Sequence, residues 1–162
     1  MFIYSVRAGT LKLFGFIALA LVLAFGVVLF GTDGAAIAAG TDGTVDFSGV
    51  KTNEDRVKFI EQFGIKVADT PIEEAAFAMP ESFDRVILGY NELQKKQGLD
   101  LSKYAKKRVT RYTYKVENYD YDGEVYANLF IWRGRVVGCD ISSADPEGFV
   151  APLTLVDREK LK

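Results

Sequence analysis

The sequence predicts an α+β architecture: an N-terminal transmembrane helix, then two helices packed on one face of an antiparallel sheet that ends in a three-strand meander. Three observations lead there. Residues 13–30, LFGFIALALVLAFGVVLF, form a run of eighteen residues without a charge. Two later segments, around Val57–Phe63 and Phe83–Leu93, carry apolar residues at helical spacing. Residues 108–143 alternate in three runs separated by short turns.

At about 1.5 Å per residue, an eighteen-residue helix reaches roughly 27 Å, close to the hydrocarbon thickness of a bilayer. Thirteen of the eighteen are Leu, Ile, Val or Phe. At roughly −0.3 to −0.6 kcal/mol each, they favour insertion by about 4–8 kcal/mol. Arg7 and Lys12 precede the run, and Asp33 is the first charge after it. Positive residues stay in the cytoplasm, so residues 1–12 are expected inside and the chain beyond the run outside. Ala36-Ile37-Ala38 has the small-x-small pattern of a cleavage site. The apolar run, however, is longer than the roughly 7–15 residues of a signal peptide. The expected location is therefore the cell membrane, single-pass. Secretion after signal cleavage is the alternative.

Residues 31–50 are rich in Gly, Ala, Thr and Asp and read as a flexible tether. An extracytoplasmic domain over 51–143 follows, with a C-terminal tail at 144–162. Thr52 or Asn53 caps the first helix, Glu54 and Asp55 suit its first turn, and Gly64 stops it. Ile65–Ala68 and Ile72–Met79 read as short strands around the turn Asp69-Thr70-Pro71. Pro80 and Ser82 open the second helix, whose stripe is Phe83, Val86, Ile87, Tyr90 and Leu93. Gly98 ends it.

The meander comprises Arg108–Glu117, Glu124–Trp132 and Arg135–Ile141. A three-residue loop, Trp132-Arg133-Gly134, segregates the side chains best. One face then collects Tyr112, Tyr114, Val116, Val125, Ala127, Leu129, Ile131, Val137, Cys139 and Ile141. The other collects Arg111, Thr113, Lys115, Tyr126, Asn128, Phe130, Val136, Gly138 and Asp140. One buried face calls for helices on one side.

The segments NEDRVKFIEQFG, YNELQKKQGLDLSKY, RYTYKVENY and GEVYANLFIWRGRVVGCDIS resemble an uncharacterised family of bacterial extracytoplasmic proteins. That family is classed as a domain of unknown function and occurs mainly in anaerobic Gram-positive bacteria. The resemblance spans about residues 52–150 and implies a membrane anchor with a small outer domain. It implies no catalytic residues. A helix followed by a three-strand meander also resembles PepSY-like domains, some of which modulate exported peptidases, by fold alone.

The chain has no histidine, which removes Ser-His-Asp and Cys-His systems and the usual zinc sites. No cofactor is expected. Cys139, the single cysteine, turns inward in the register above. Asn118, Asp120, Asp122 and Gly123 match the opening of a calcium loop, but the twelfth position is Leu129 rather than Glu. The same residues suit a hairpin turn. No carboxylate pair has a spacing diagnostic of acid–base work.

Between Lys95 and Lys115, eight bases face the single acid Asp100, while Glu117–Glu124 holds four acids and no base. A basic strip could meet an anionic lipid or wall surface. Nucleic acid is not an expected partner of a domain outside the membrane. The second sheet face offers Arg111, Lys115, Tyr126, Phe130 and Trp132, aromatic and basic residues typical of interface centres. Alternatively, the tail from Gly148 to Leu153 folds back over it. The function expected is a non-enzymatic, membrane-tethered binding or regulatory domain, with an envelope protein as a candidate partner. A small envelope hydrolase or peptidase-modulating module is one alternative. A structural component of an envelope complex, paired through Gly15 and Gly26, is the other.

Overall fold

Thr52 starts the first helix, α1 (Asn53–Glu61). Its hydroxyl accepts from the Asp55 N–H at 3.1 Å, and the Asp55 carboxylate accepts from the Thr52 N–H at 2.8 Å. This reciprocal pair satisfies N–H groups that a helix start leaves open. The computed structural model describes residues 45–145 and 147–162. The expected cytoplasmic stretch 1–12, the apolar run 13–30 and the expected tether up to residue 44 lie outside the described residues. No described helix is long and apolar enough to cross a membrane.

The second helix, α2 (Arg85–Lys95), starts later than Pro80 and Ser82 suggested. Asp84 is the cap, because its carboxylate takes the N–H groups of Val86 and Ile87 at 3.0 and 2.9 Å. Among the described residues, five antiparallel strands follow one another in space as in sequence. They are β1 (Glu73–Ala78), β2 (Arg108–Lys115), β3 (Val125–Trp132), β4 (Arg135–Ser143) and β5 (Val150–Pro152). The expected strand Ile65–Ala68 contributes only one bridge, Val67 to Val116. The packed unit passes both ends of 51–143. Val50 and Leu153 are buried in the core, and the tail supplies β5.

The β3–β4 turn differs from expectation. It has two residues, Arg133 and Gly134, with φ of 48° and 74°, and Trp132 pairs with Arg135. Two successive positive φ angles match the twist of a hairpin. Such a turn alone would put β4 in the wrong register. A β-bulge corrects this: Ile131 pairs with Val136 and Phe130 with Gly138, leaving Val137 as the extra residue. Beyond the bulge, Leu129 faces Cys139 and Ala127 faces Ile141. The two valines exchange their expected faces. Val136 joins Tyr114, Leu129 and Cys139, while Val137 joins Tyr90, Leu93 and Val109.

The helices lie on opposite faces of the sheet, not on one. α1 packs Phe59 and Ile60 against the face of Leu129 and Ile141. Its Arg56 donates to the Tyr114 hydroxyl at 2.8 Å and lies over the Tyr112 ring. α2 packs Tyr90 and Leu93 against Val109 and Val137, with Phe77 and Phe130 beside them. The reason lies in the second face: it is apolar at one end, and that end needs its own cover.

Candidate functional site

The other end of the second face is polar. Pairing of Glu73 with Thr113, Thr113 with Asn128, and Asn128 with Asp140 lays one row across four strands. Thr113 Oγ1 donates to Asn128 Oδ1 at 2.8 Å. Asn128 Nδ2 donates to Asp140 Oδ1 at 2.8 Å and to Ser142 Oγ at 3.2 Å. From α2, the Tyr90 hydroxyl donates to Asp140 Oδ2 at 2.5 Å. Arg111 donates from Nη2 to Glu73 Oε2 at 2.8 Å, while its buried Nε has no hydrogen-bond partner among the described residues.

Burial raises the Asp140 carboxyl above the ordinary range, against the hydrogen bonds from Tyr90 and Asn128 and the Arg111 charge. Burial, and then the Asp140 charge, pushes the Tyr90 hydroxyl well up. The phenol proton therefore stays on Tyr90, and the pair acts as a fixed donor and acceptor.

A second polar group closes the side of β4. Gln94 Oε1 accepts from the Cys139 N–H at 2.9 Å, and Gln97 Nε2 donates to the Cys139 carbonyl at 2.6 Å. Gln97 Oε1 also accepts from Thr154, through N at 3.2 Å and Oγ1 at 3.1 Å. These glutamines pin α2 to β4 and to the tail. Cys139 is buried, and burial pushes its thiol well up. A protonated, enclosed thiol is a poor nucleophile.

The five residues picked out as a partner surface share the second face by register, but they fall into separate environments. Arg111 is buried, with 4% of its surface exposed. Phe130 lies under α2, its ring 6.1 Å from Phe77 and 6.0 Å from Tyr90. Lys115 and Tyr126 lie beyond the polar row and converge on Glu124, at 2.7 and 2.5 Å. The Glu124 hydrogen bond leads in pushing the Tyr126 hydroxyl up to about 12. Trp132 is at the opposite end, against Tyr104 at 5.4 Å. α2 covers Phe130, and the tail runs beside β4 as β5, contributing Val150 to the same apolar cluster.

Phe130→Ala is thus expected to lower unfolding free energy by about 3 kcal/mol, the low end for a packed aromatic, because Phe130 is only partly buried. Tyr126→Ala is expected to cost under about 1 kcal/mol, because its ring is half open. Urea unfolding of the two variants tests this contrast.

The polar row was missed as a unit in the sequence, although Thr113, Asn128 and Asp140 already fell on one face. In the sequence Tyr90 is one member of an apolar stripe, and its hydroxyl carries no signal there. In the acidic loop, Asn118 accepts from the Lys66 N–H at 2.7 Å and donates to the Gly64 carbonyl at 2.9 Å. Asp120 pairs with Lys162 at 2.6 Å. Among the described residues, no group of three or more Cys, Asp or Glu side chains is placed to hold a metal ion.

No curated protein and no solved structure matches the chain. A family does: residues 59–141, from α1 through most of β4, match the description Domain of unknown function (DUF4830), and the chain belongs to that family.

Proposed function

We propose that this chain is a membrane-tethered extracytoplasmic binding domain, without catalytic activity, that captures or modulates an envelope protein. The observation that carries this reading is the division of the second face. α2 covers its apolar end, while the polar row leads to a solvent-facing group of Lys115, Glu124 and Tyr126. The apolar run at 13–30 supports the tether. The row's two carboxylates, Glu73 and Asp140, stand on β1 and β4. Three strand spacings of about 4.8 Å separate them by roughly 14 Å. Paired carboxylates in glycosidases stand about 5–9.5 Å apart. That distance and the protonated thiol speak for binding over catalysis.

The test is affinity recovery of the tagged full-length chain from native membranes after brief crosslinking, with mass spectrometry. One reproducible envelope protein is expected with the wild-type chain. Lys115→Ala combined with Tyr126→Ala should reduce its recovery several-fold while leaving the melting curve close to wild type. Equal recovery with the double variant would remove this surface from the function.

A further inference from the structure

The bases that lie close together in the sequence are separated by the fold. Arg111 is buried, and Lys115 is at the acidic end of the sheet. Lys107 and Arg108 stand at the start of β2. Antiparallel pairing sets that start beside the end of β3 and the start of β4, through Thr110 with Ile131 and Trp132 with Arg135. Lys107, Arg108, Arg133 and Arg135 therefore share one end of the sheet, and all four are exposed. Lys51 joins them, its side chain packed against Gly134. Two half-buried aromatic rings sit among these charges. Trp132 meets Tyr104 edge-on, and the Arg133 guanidinium lies 5.0 Å from the Trp132 ring centre.

Among the described residues, acids reach this end at three points. Glu81 pairs with Lys106 at 2.5 Å, Asp46 holds the Ser48 N–H and hydroxyl and feels the Arg135 charge after these, and Asp55 accepts from the Lys51 backbone N–H. The far end of the same strands has the opposite character. Glu117, Asp120, Asp122 and Glu124 lie in the β2–β3 loop, with Asp145 and Glu147 after β4, all exposed. Lys115 and Lys162 pair with two of these six acids, and Lys66 and Lys160 flank the same loop through their carbonyls, so this end is acidic in balance. The domain is thus polarised along its strands, cationic at the β3–β4 turn and acidic at the other end.

The described chain begins near the cationic end. The Val136 N–H donates to the Phe47 carbonyl at 2.8 Å, and the Val50 N–H donates to the Gly134 carbonyl at 2.9 Å. Fourteen residues, 31–44, lie between that point and the apolar run. A tether this short, attached near the cationic end, favours that end toward the bilayer. Anionic lipid would attract it and repel the acidic end. Trp and Tyr are also the side chains that settle at headgroup depth.

We propose that the β3–β4 turn end docks on the anionic lipid headgroups of the membrane that carries the chain. Lys107, Arg108 and Arg135 face the phosphates, and Trp132 and Tyr104 sit at the interface. The proposal rests on the tether reading above and adds an orientation to it. Held this way, the domain directs Lys115, Glu124 and Tyr126 away from the membrane, toward a partner.

Trp132 is the single tryptophan of the chain, so its emission reports this end alone. The full chain is reconstituted into phosphatidylcholine vesicles with or without phosphatidylglycerol, each doped with brominated lipid. Several-fold stronger quenching of Trp132 is expected with phosphatidylglycerol. It should be lost in high salt and in the Lys107→Glu, Arg108→Glu, Arg135→Glu variant. Retention on the vesicles after an alkaline wash, with equal quenching in both lipids, would overturn the docking and leave the tether standing. Release by the wash would overturn the tether and the docking with it. A Trp132 shift with soluble teichoic acid but not with lipid would assign this end to wall polymer and overturn lipid docking.

Discussion

Asp140→Ala is expected to lower the unfolding free energy by about 3 kcal/mol, and Asp140→Asn by about 1 kcal/mol. The carboxylate accepts from Tyr90 and Asn128, and all three groups are buried. Alanine leaves the Tyr90 hydroxyl without an acceptor, leaves Asn128 only its longer bond to Ser142, and opens a void beneath α2. Asparagine keeps the shape and one good acceptor. Urea unfolding at neutral pH measures the difference.

The two substitutions should also separate in their pH dependence. Burial raises the Asp140 carboxyl above its ordinary value of 3.8. Between that value and the raised one, the native state holds a proton that the unfolded chain has released. The contribution of Asp140 is therefore full at low pH and is lost as pH rises through the raised value. Asp140→Asn removes this descent, so the gap between wild type and Asn should narrow or reverse as pH rises. A gap constant from pH 4 to 7 would show that burial does not control this carboxyl.

Val136→Asp and Val137→Asp are each expected to unfold the domain. Both side chains are fully buried, at 0% exposure, and they belong to different hydrophobic clusters. A buried unpaired carboxylate costs several kcal/mol, a large share of the about 5–15 kcal/mol that holds a domain together. In an unbroken strand with one covered face, one of two neighbours would point to solvent and tolerate the change. Loss of folding in both variants, read by circular dichroism, is the result expected of the bulge and of a sheet covered on both sides. A folded Val137→Asp would mean that α2 does not cover that end.

The family match covers the elements that were most legible in the chain. The three meander strands appear close to their expected limits, because alternation over eight or nine residues is a strong local signal. The Thr52 cap and the Gly64 stop were legible for the same local reason. The two-residue turn at Arg133-Gly134 was not, since in a regular strand it would mix the two faces and nothing nearby marks the bulge that prevents this. The candidate site divides in the same way. Its members could be placed on one face by counting, but their burial could not, because burial depends on a helix some forty residues away in sequence.

Composition and periodicity were enough to establish an α+β chain, a continuous apolar run, a histidine-free domain and the meander. Each depends on spacing within a few neighbouring residues. Which face each helix covers, the bulge that exchanges Val136 and Val137, and the enclosure of Asp140 by Tyr90 depend on contacts between distant segments. The separation of basic from acidic ends has the same origin. Antiparallel pairing brings Arg108 beside the β3–β4 turn and sends Lys115, seven residues later, to the opposite end of the strand. Strand direction is a property of the folded sheet, and charge order along the chain does not contain it.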